Sequence, residues 1–143
     1  MYLPPNNATA LLNALVTAGP LAISAAAEPW QSYETGVFDG PGIVSTDVDH
    51  AIQLTGYGTD AASGKDFYEV RNSWSAGWGE QGYIRVASRR NSAKGEPCGT
   101  DTSPGDGDGC KGGPPTLEVC GVTGILSDTS YPTGAKLCPA SGC

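Results

Sequence analysis

The sequence predicts an α+β domain: one helix near the N-terminus, followed by a mostly antiparallel, barrel-like sheet. Three observations carry this. A helix-spaced apolar run occurs only near the start of the chain. Three later runs have strand character, at residues 50–58, 67–72 and 83–87, and turn signals separate them. The 21 glycines and 11 prolines among 143 residues, with only 38% hydrophobic residues, point to turns and irregular loops rather than a helical bundle.

Taken in order, Pro4-Pro5-Asn6-Asn7 reads as a turn ending in a good N-cap. Ala8, Leu11, Leu12, Leu15 and Val16 then recur at helical spacing, and Gly19-Pro20 stops the helix. Residues 21–27 read as a buried strand, with Leu21, Ile23 and Ala25 on one face and Ala22, Ser24 and Ala26 on the other. Glu28-Pro29 turns the chain. Trp30, Tyr33 and Phe38 read as core aromatics that, with Val37, lead to a further strand, and residues 41–47 form a loop.

The stretch from 49 to 78 carries the chemistry. His50, the only histidine, opens one strand, and the run from Phe67 delivers Asn72 followed by Ser73 and Trp74. If the two strands pair across the 59–66 loop, imidazole and carboxamide meet at one end of the sheet. A histidine acts as base toward a nucleophile only when its other nitrogen is held in one tautomer, and a neutral Asn oxygen can do that. With a thiol nucleophile the imidazole can be charged at rest, so a neutral partner suffices. Trp74, two residues beyond Asn72 in an extended chain, would shield that bond from water, and Gly77-Trp78-Gly79 would form a tight aromatic turn beside it. This is half of a catalytic triad.

Asp49-His50-Ala51, Gly56-Tyr57-Gly58, Asn72-Ser73-Trp74, Gly77-Trp78-Gly79-Glu80 and Gly82-Tyr83 closely resemble the C-terminal half of papain-like cysteine peptidases, the cathepsin group. The likeness runs from about Leu3 to Pro132. It implies the right-hand domain of the papain fold, with His50 and Asn72 catalytic and Trp74 and Trp78 supporting them. It also implies a peptide or protein substrate, a lysosomal, vacuolar or secreted location, and no cofactor. The family carries its nucleophile in a Cys-Gly-Ser-Cys-Trp type of motif well upstream of the histidine. Here Cys98, Cys110, Cys120, Cys138 and Cys143 all follow the His and Asn, and none precedes an aromatic residue. The chain therefore looks like one domain of a two-domain enzyme whose N-terminal, left domain is missing from it. By itself it should be inactive, since His50 has no thiol to deprotonate. The alternative is a non-catalytic papain-like subunit or binding module.

The same resemblance places substrate contacts at Val48, Asp49 and Ala51 around the histidine, with Ser24 on the wall and Asp128 at the bottom of the pocket for the second residue before the scissile bond. A carboxylate there would favour Arg or Lys. Three extra residues between Cys120 and Tyr131 leave open a second reading, in which Asp128 points to solvent and caps a turn. Val48, Ala51 and Trp74 are expected to present an apolar surface toward the missing domain.

Residues 88–115 turn to Gly, Pro, Asp and Ser without any period and read as an insertion into a domain spanning 1–132. Asp106-Gly107-Asp108-Gly109 has a calcium-loop flavour, but Cys110 sits where an oxygen ligand belongs and Glu118 comes one place late, so no metal is expected. The family's cysteine partner for Cys120 would fall within residues 38–42, which hold none. Cys120 must then find Cys98 or Cys110, or stay free, while Cys138 and Cys143 staple the tail at 133–143. Five cysteines without Cys-x-x-Cys spacing favour disulfides in an oxidising compartment. A net charge of −7 with scattered basic residues argues against nucleic acid or an anionic membrane as partner. Met1-Tyr2-Leu3-Pro4-Pro5 does not read as a signal sequence, and the chain is expected to be a fragment or a separated chain.

Overall fold

The computed structural model describes residues 1–107, 109 and 111–135. Helix α1 (Ala8–Ala18) begins at Asn7, whose side-chain oxygen accepts from the Ala10 amide at 2.9 Å, and ends at Gly19, with φ of 97°. It buries Leu11, Ala14 and Leu15 against the sheet. The strands are β1 (Leu21–Ala25), β2 (Val37–Phe38), β3 (His50–Thr59), β4 (Asp66–Arg71), β5 (Tyr83–Ala87), β6 (Cys98–Asp101), β7 (Leu117–Cys120) and β8 (Thr129–Ser130).

Six of them form one sheet in the order β2-β5-β4-β3-β1-β8. All its pairings are antiparallel except β2 with β5, which is parallel. The sheet stays open rather than barrel-like: each edge strand is only two residues long, and the two edges do not pair with each other among the described residues. One face carries Leu21, Ile23, Ile52, Leu54, Val70, Ile84 and Val86 into a core closed by α1, Trp30 and residues 122–126. The other face of β3 exposes Ala51, Gln53 and Tyr57, alternating with buried Ile52 and Leu54, as a half-buried strand requires.

The glycine-rich segment is more structured than its composition suggests. β6 lies within it and pairs antiparallel with β7, placing Cys98 opposite Cys120. The two form a disulfide, which resolves Cys120's partner. The Cys138–Cys143 staple, Cys110 and Asp108 lie outside the described residues, as does most of the tail. Among the described residues, Cys98, Glu118 and Cys120 converge at metal-ligand spacing, but the two sulfurs are bonded to each other. No helix among the described residues is long and apolar enough to cross a membrane.

Candidate active site

The register of β3 with β4 assembles the site. Gln53 lies opposite Arg71, so the next residue, Asn72, falls across from Ile52, and His50 follows on the same face as Ile52. Side chains so placed are diagonal neighbours and can reach each other. The His50 Nε2–H donates to the Asn72 carboxamide oxygen at 2.9 Å. That oxygen also accepts from the Ser73 amide at 2.7 Å, and the Asn72 backbone amide donates to the Gly82 carbonyl at 2.9 Å, so the carboxamide is held through its oxygen on an anchored backbone. With Nε2 bonded, Nδ1 has no hydrogen-bond partner among the described residues.

Trp74 reaches His50, though not by the route the sequence suggests. The chain bends after Asn72 instead of staying extended, and the bend folds the indole over the imidazole with ring centroids 5.3 Å apart and planes tilted 34°. Trp78 does not stack on the histidine. It meets Trp74 edge-on at 5.1 Å and Tyr33 at 5.6 Å, a prop behind the shield. Gly79, in the turn after Trp78, has φ of 56°, and a Cβ there would lie 2.6 Å from the Tyr83 carbonyl oxygen, so only glycine fits.

A charged network that no motif announces fixes this aromatic loop. Arg85 of β5 donates to Glu80 at 2.6 and 2.7 Å and to Asp60 at 2.6 Å. Glu80 also accepts from the Gly36 amide at 2.9 Å and the Thr35 hydroxyl at 2.7 Å. The Arg85 bonds, reinforced by Gly36 and Thr35, hold the Glu80 carboxyl down to about 2. Alternation shows that Arg85 faces outward from β5, but nothing in its spacing names its partners.

The residues assigned to substrate contact separate into two groups. Ser24 pairs with Ala51 across β1 and β3. Its hydroxyl donates to Asp128 at 3.0 Å and its amide to the Asp128 carbonyl at 3.2 Å, so the half-buried carboxylate sits beside Ser24. Ala51 is exposed next to them. Asp49 is exposed too and borders an open hollow of about 200 Å³ with Ala27, Glu28, Gln31, His50 and Trp74. Val48 is different: it is fully buried and is not part of any wall. The Asp49 amide donates to the Ala25 carbonyl at 3.3 Å, which lays this segment on β1 and turns the Val48 side chain inward against Gly124. The surface expected from Val48, Ala51 and Trp74 is accordingly mixed, since Ala51 is flanked by exposed Gln53 and Arg71.

The site is thus a histidine oriented by a neutral amide beneath a tryptophan. Comparison with known proteins gives the family. The model of the papain family cysteine protease matches residues 1–105, and the chain belongs to that family. It is 44% identical over 90 residues to a cathepsin L-like protein of Caenorhabditis elegans, covering 62% of this chain and 26% of that one. With cathepsin L of Sarcophaga peregrina the identity is 40% over 103 residues, 71% of this chain and 29% of the other. Among solved structures, the bromelain protease of Ananas comosus in complex with the E64 inhibitor superposes with a TM-score of 0.64 at 33% identity, over 92% of this chain and 48% of that one. The chain thus spans a quarter to a third of these curated relatives and about half of the bromelain structure.

Proposed function

We propose that this chain supplies the His and Asn of a Cys-His-Asn cysteine endopeptidase, the thiol coming from a polypeptide segment outside these residues. The observation that supports it is the His50–Asn72 bond beneath Trp74. His50 Nδ1 takes the thiol proton and the thiolate attacks the peptide carbonyl carbon. The imidazolium then gives its proton to the departing amine, and water, deprotonated by the same nitrogen, releases the acyl group. Asn72 keeps Nε2 protonated throughout, and Trp74 keeps that bond dry. A peptide or protein is the substrate. Asp128 beside Ser24 favours a basic side chain two residues before the scissile bond. Similarity to cathepsin L and to digestive and plant proteinases supports a lysosomal, vacuolar or secreted location.

The test is complementation. The chain alone should not hydrolyse peptides or label with a thiol-directed active-site probe. Co-expressed with the N-terminal half of a papain family relative it should do both. His50→Ala should then abolish turnover, a loss of about 10²–10⁴-fold or more for a general base, and Asn72→Ala should lower kcat. Labelling of Cys98 or Cys110 in the isolated chain that disappears with His50→Ala would overturn the reading.

A further inference from the structure

The glycine-rich segment bears on the strand that carries the histidine. Its start is pinned by Glu96, which accepts from the Tyr68 hydroxyl at 2.9 Å, the Ser88 hydroxyl at 3.1 Å and the Arg89 amide at 2.9 Å. Its middle is a compact turn. Buried Asp101 accepts from the Ser103 amide at 2.8 Å, and the amides of Gly107 and Gly109 both donate to the Pro104 carbonyl, at 3.2 and 2.7 Å. The turn sets the Gly107 backbone directly on the peptide joining Val48 to Asp49. A Cβ on Gly107 would overlap the Val48 carbonyl oxygen and lie 2.9 Å from the Asp49 Cα. Gly105, two residues earlier, has open space around it.

This contact matters because residues 43–49 have no ladder of their own. They are held on one side by the Val44 amide on Val122 at 2.7 Å and the Asp49 amide on Ala25 at 3.3 Å. On the other side they meet Gly99, whose Cβ would lie 2.7 Å from a Thr46 methyl, and Gly107. Where that segment ends, His50 begins. We propose that the turn at residues 101–107 is a positioning brace for His50, with Gly107 as its bearing point and the Cys98–Cys120 disulfide as its latch, so that the oxidation state of this pair is read at the His50–Asn72 hydrogen bond. A dithiol reductant would open the latch by giving two electrons and two protons to the disulfide, leaving two protein thiols and its own disulfide. The opened hairpin regains chain entropy, and the turn loses its fixed seat on residues 48 and 49. The inference concerns the same histidine as the proposed function, but its test reads geometry rather than turnover, so either can fail without the other.

The single histidine makes the test direct, because a chain labelled with ¹⁵N-histidine shows one imidazole. In the oxidised chain the ring nitrogens should carry the signature of the Nε2–H tautomer and the Nε2 proton should be protected from exchange. Gly107→Ala should move the ring signals toward the tautomer average and lose that protection, while Gly105→Ala leaves both unchanged. Reduction of the unmutated chain, and separately Cys98→Ser with Cys120→Ser, should produce the same movement with the β3–β5 amide signals intact. Ring signals unmoved by reduction would overturn the inference, whether or not Gly107→Ala folds. So would loss of the β3–β5 amide signals on reduction, since the disulfide would then support the whole fold rather than position one residue.

Discussion

The β3–β5 sheet and the glycine-rich segment lie against each other and are held together by opposite means. The sheet is secured by ladders between long strands and by wholly buried Leu54, Tyr68, Val70, Ile84 and Val86. The segment rests on local contacts: a short ladder of β6 with β7 and its disulfide, side-chain bonds from Glu96, Arg89 and Arg90 near its start, and glycines laid on neighbouring backbone. A site carried on the first kind of structure tolerates change at many positions, because many contacts share the load. A brace of the second kind depends on a few atoms. The placement of the histidine on the sheet, with the brace beside it, suits each to its task.

The largest expected effect is in the sheet. Leu54→Ala should destabilise the whole domain by about 2–5 kcal/mol, the cost of lost transfer plus a residual cavity. Urea unfolding followed by far-UV circular dichroism would measure it. Replacing both Cys98 and Cys120 by serine should cost about 3 kcal/mol or less, from regained loop entropy. The loss should concentrate locally, with hydrogen exchange rising in residues 97–120 while β3–β5 stays protected. A cysteine pair costing more than Leu54 would break the contrast, because the segment would then be core.

A smaller, pH-dependent effect separates the regions further. Arg85 bonds, helped by Gly36 and Thr35, hold Glu80 down to about 2, and the Ser63 hydroxyl and amide with Arg85 hold Asp60 at about 2. Both carboxyls are depressed below their unfolded values, so the unfolded chain binds more protons in the acid range. Their contribution is therefore complete above roughly pH 5, where unfolded carboxyls are ionised, and is lost as pH falls through about 2. Both groups are solvent-screened, so the amplitude is modest. Arg85→Met should flatten stability between those limits and loosen the Trp74–Trp78 loop, seen as a change in tryptophan fluorescence. An unchanged acid transition would show that the network contributes nothing to stability.

What the sequence disclosed follows the same division. Periodicity located α1, β1, β3, β4 and β5, and the position of His50 and Asn72 at neighbouring strand ends was enough to bring them together. These are properties of repeated pattern. Val48 was misplaced because adjacency to His50 says nothing about which way the residue turns, and that was decided by the Asp49–Ala25 bond and the space at Gly124. β6 was missed because Cys-Gly-Thr-Asp has neither alternation nor bulk, and its pairing with β7 is enforced by the disulfide. How far the sheet closes was not legible, because closure depends on edges two residues long, too short to carry a pattern.

Two adjacent asparagines give the smallest effects and the sharpest division. Asn6 serves the hairpin: its side-chain NH₂ donates to the Glu118 carbonyl at 2.7 Å and its oxygen accepts from the Cys120 amide at 2.9 Å. Asn7 serves the helix, its oxygen accepting from Ala10. Asn6→Ala removes two bonds to backbone, one of them to the buried end of β7, and should cost about 1–2 kcal/mol. Asn7→Ala should cost about 1 kcal/mol. Helix α1 has no acidic residue in its first turn, so the cap is the main local support for its N-terminal amides. Hydrogen exchange resolves the two variants. Asn6→Ala should deprotect the Cys120 amide and leave Leu11 to Leu15 unchanged. Asn7→Ala should fray the first turn of α1 and leave Cys120 unchanged, and Asn7→Asp should restore it. If Asn7→Ala deprotects Cys120 as strongly as Asn6→Ala does, helix and hairpin open as one unit, and the distinction between a sheet-borne site and a locally latched brace fails at the point where the two regions meet.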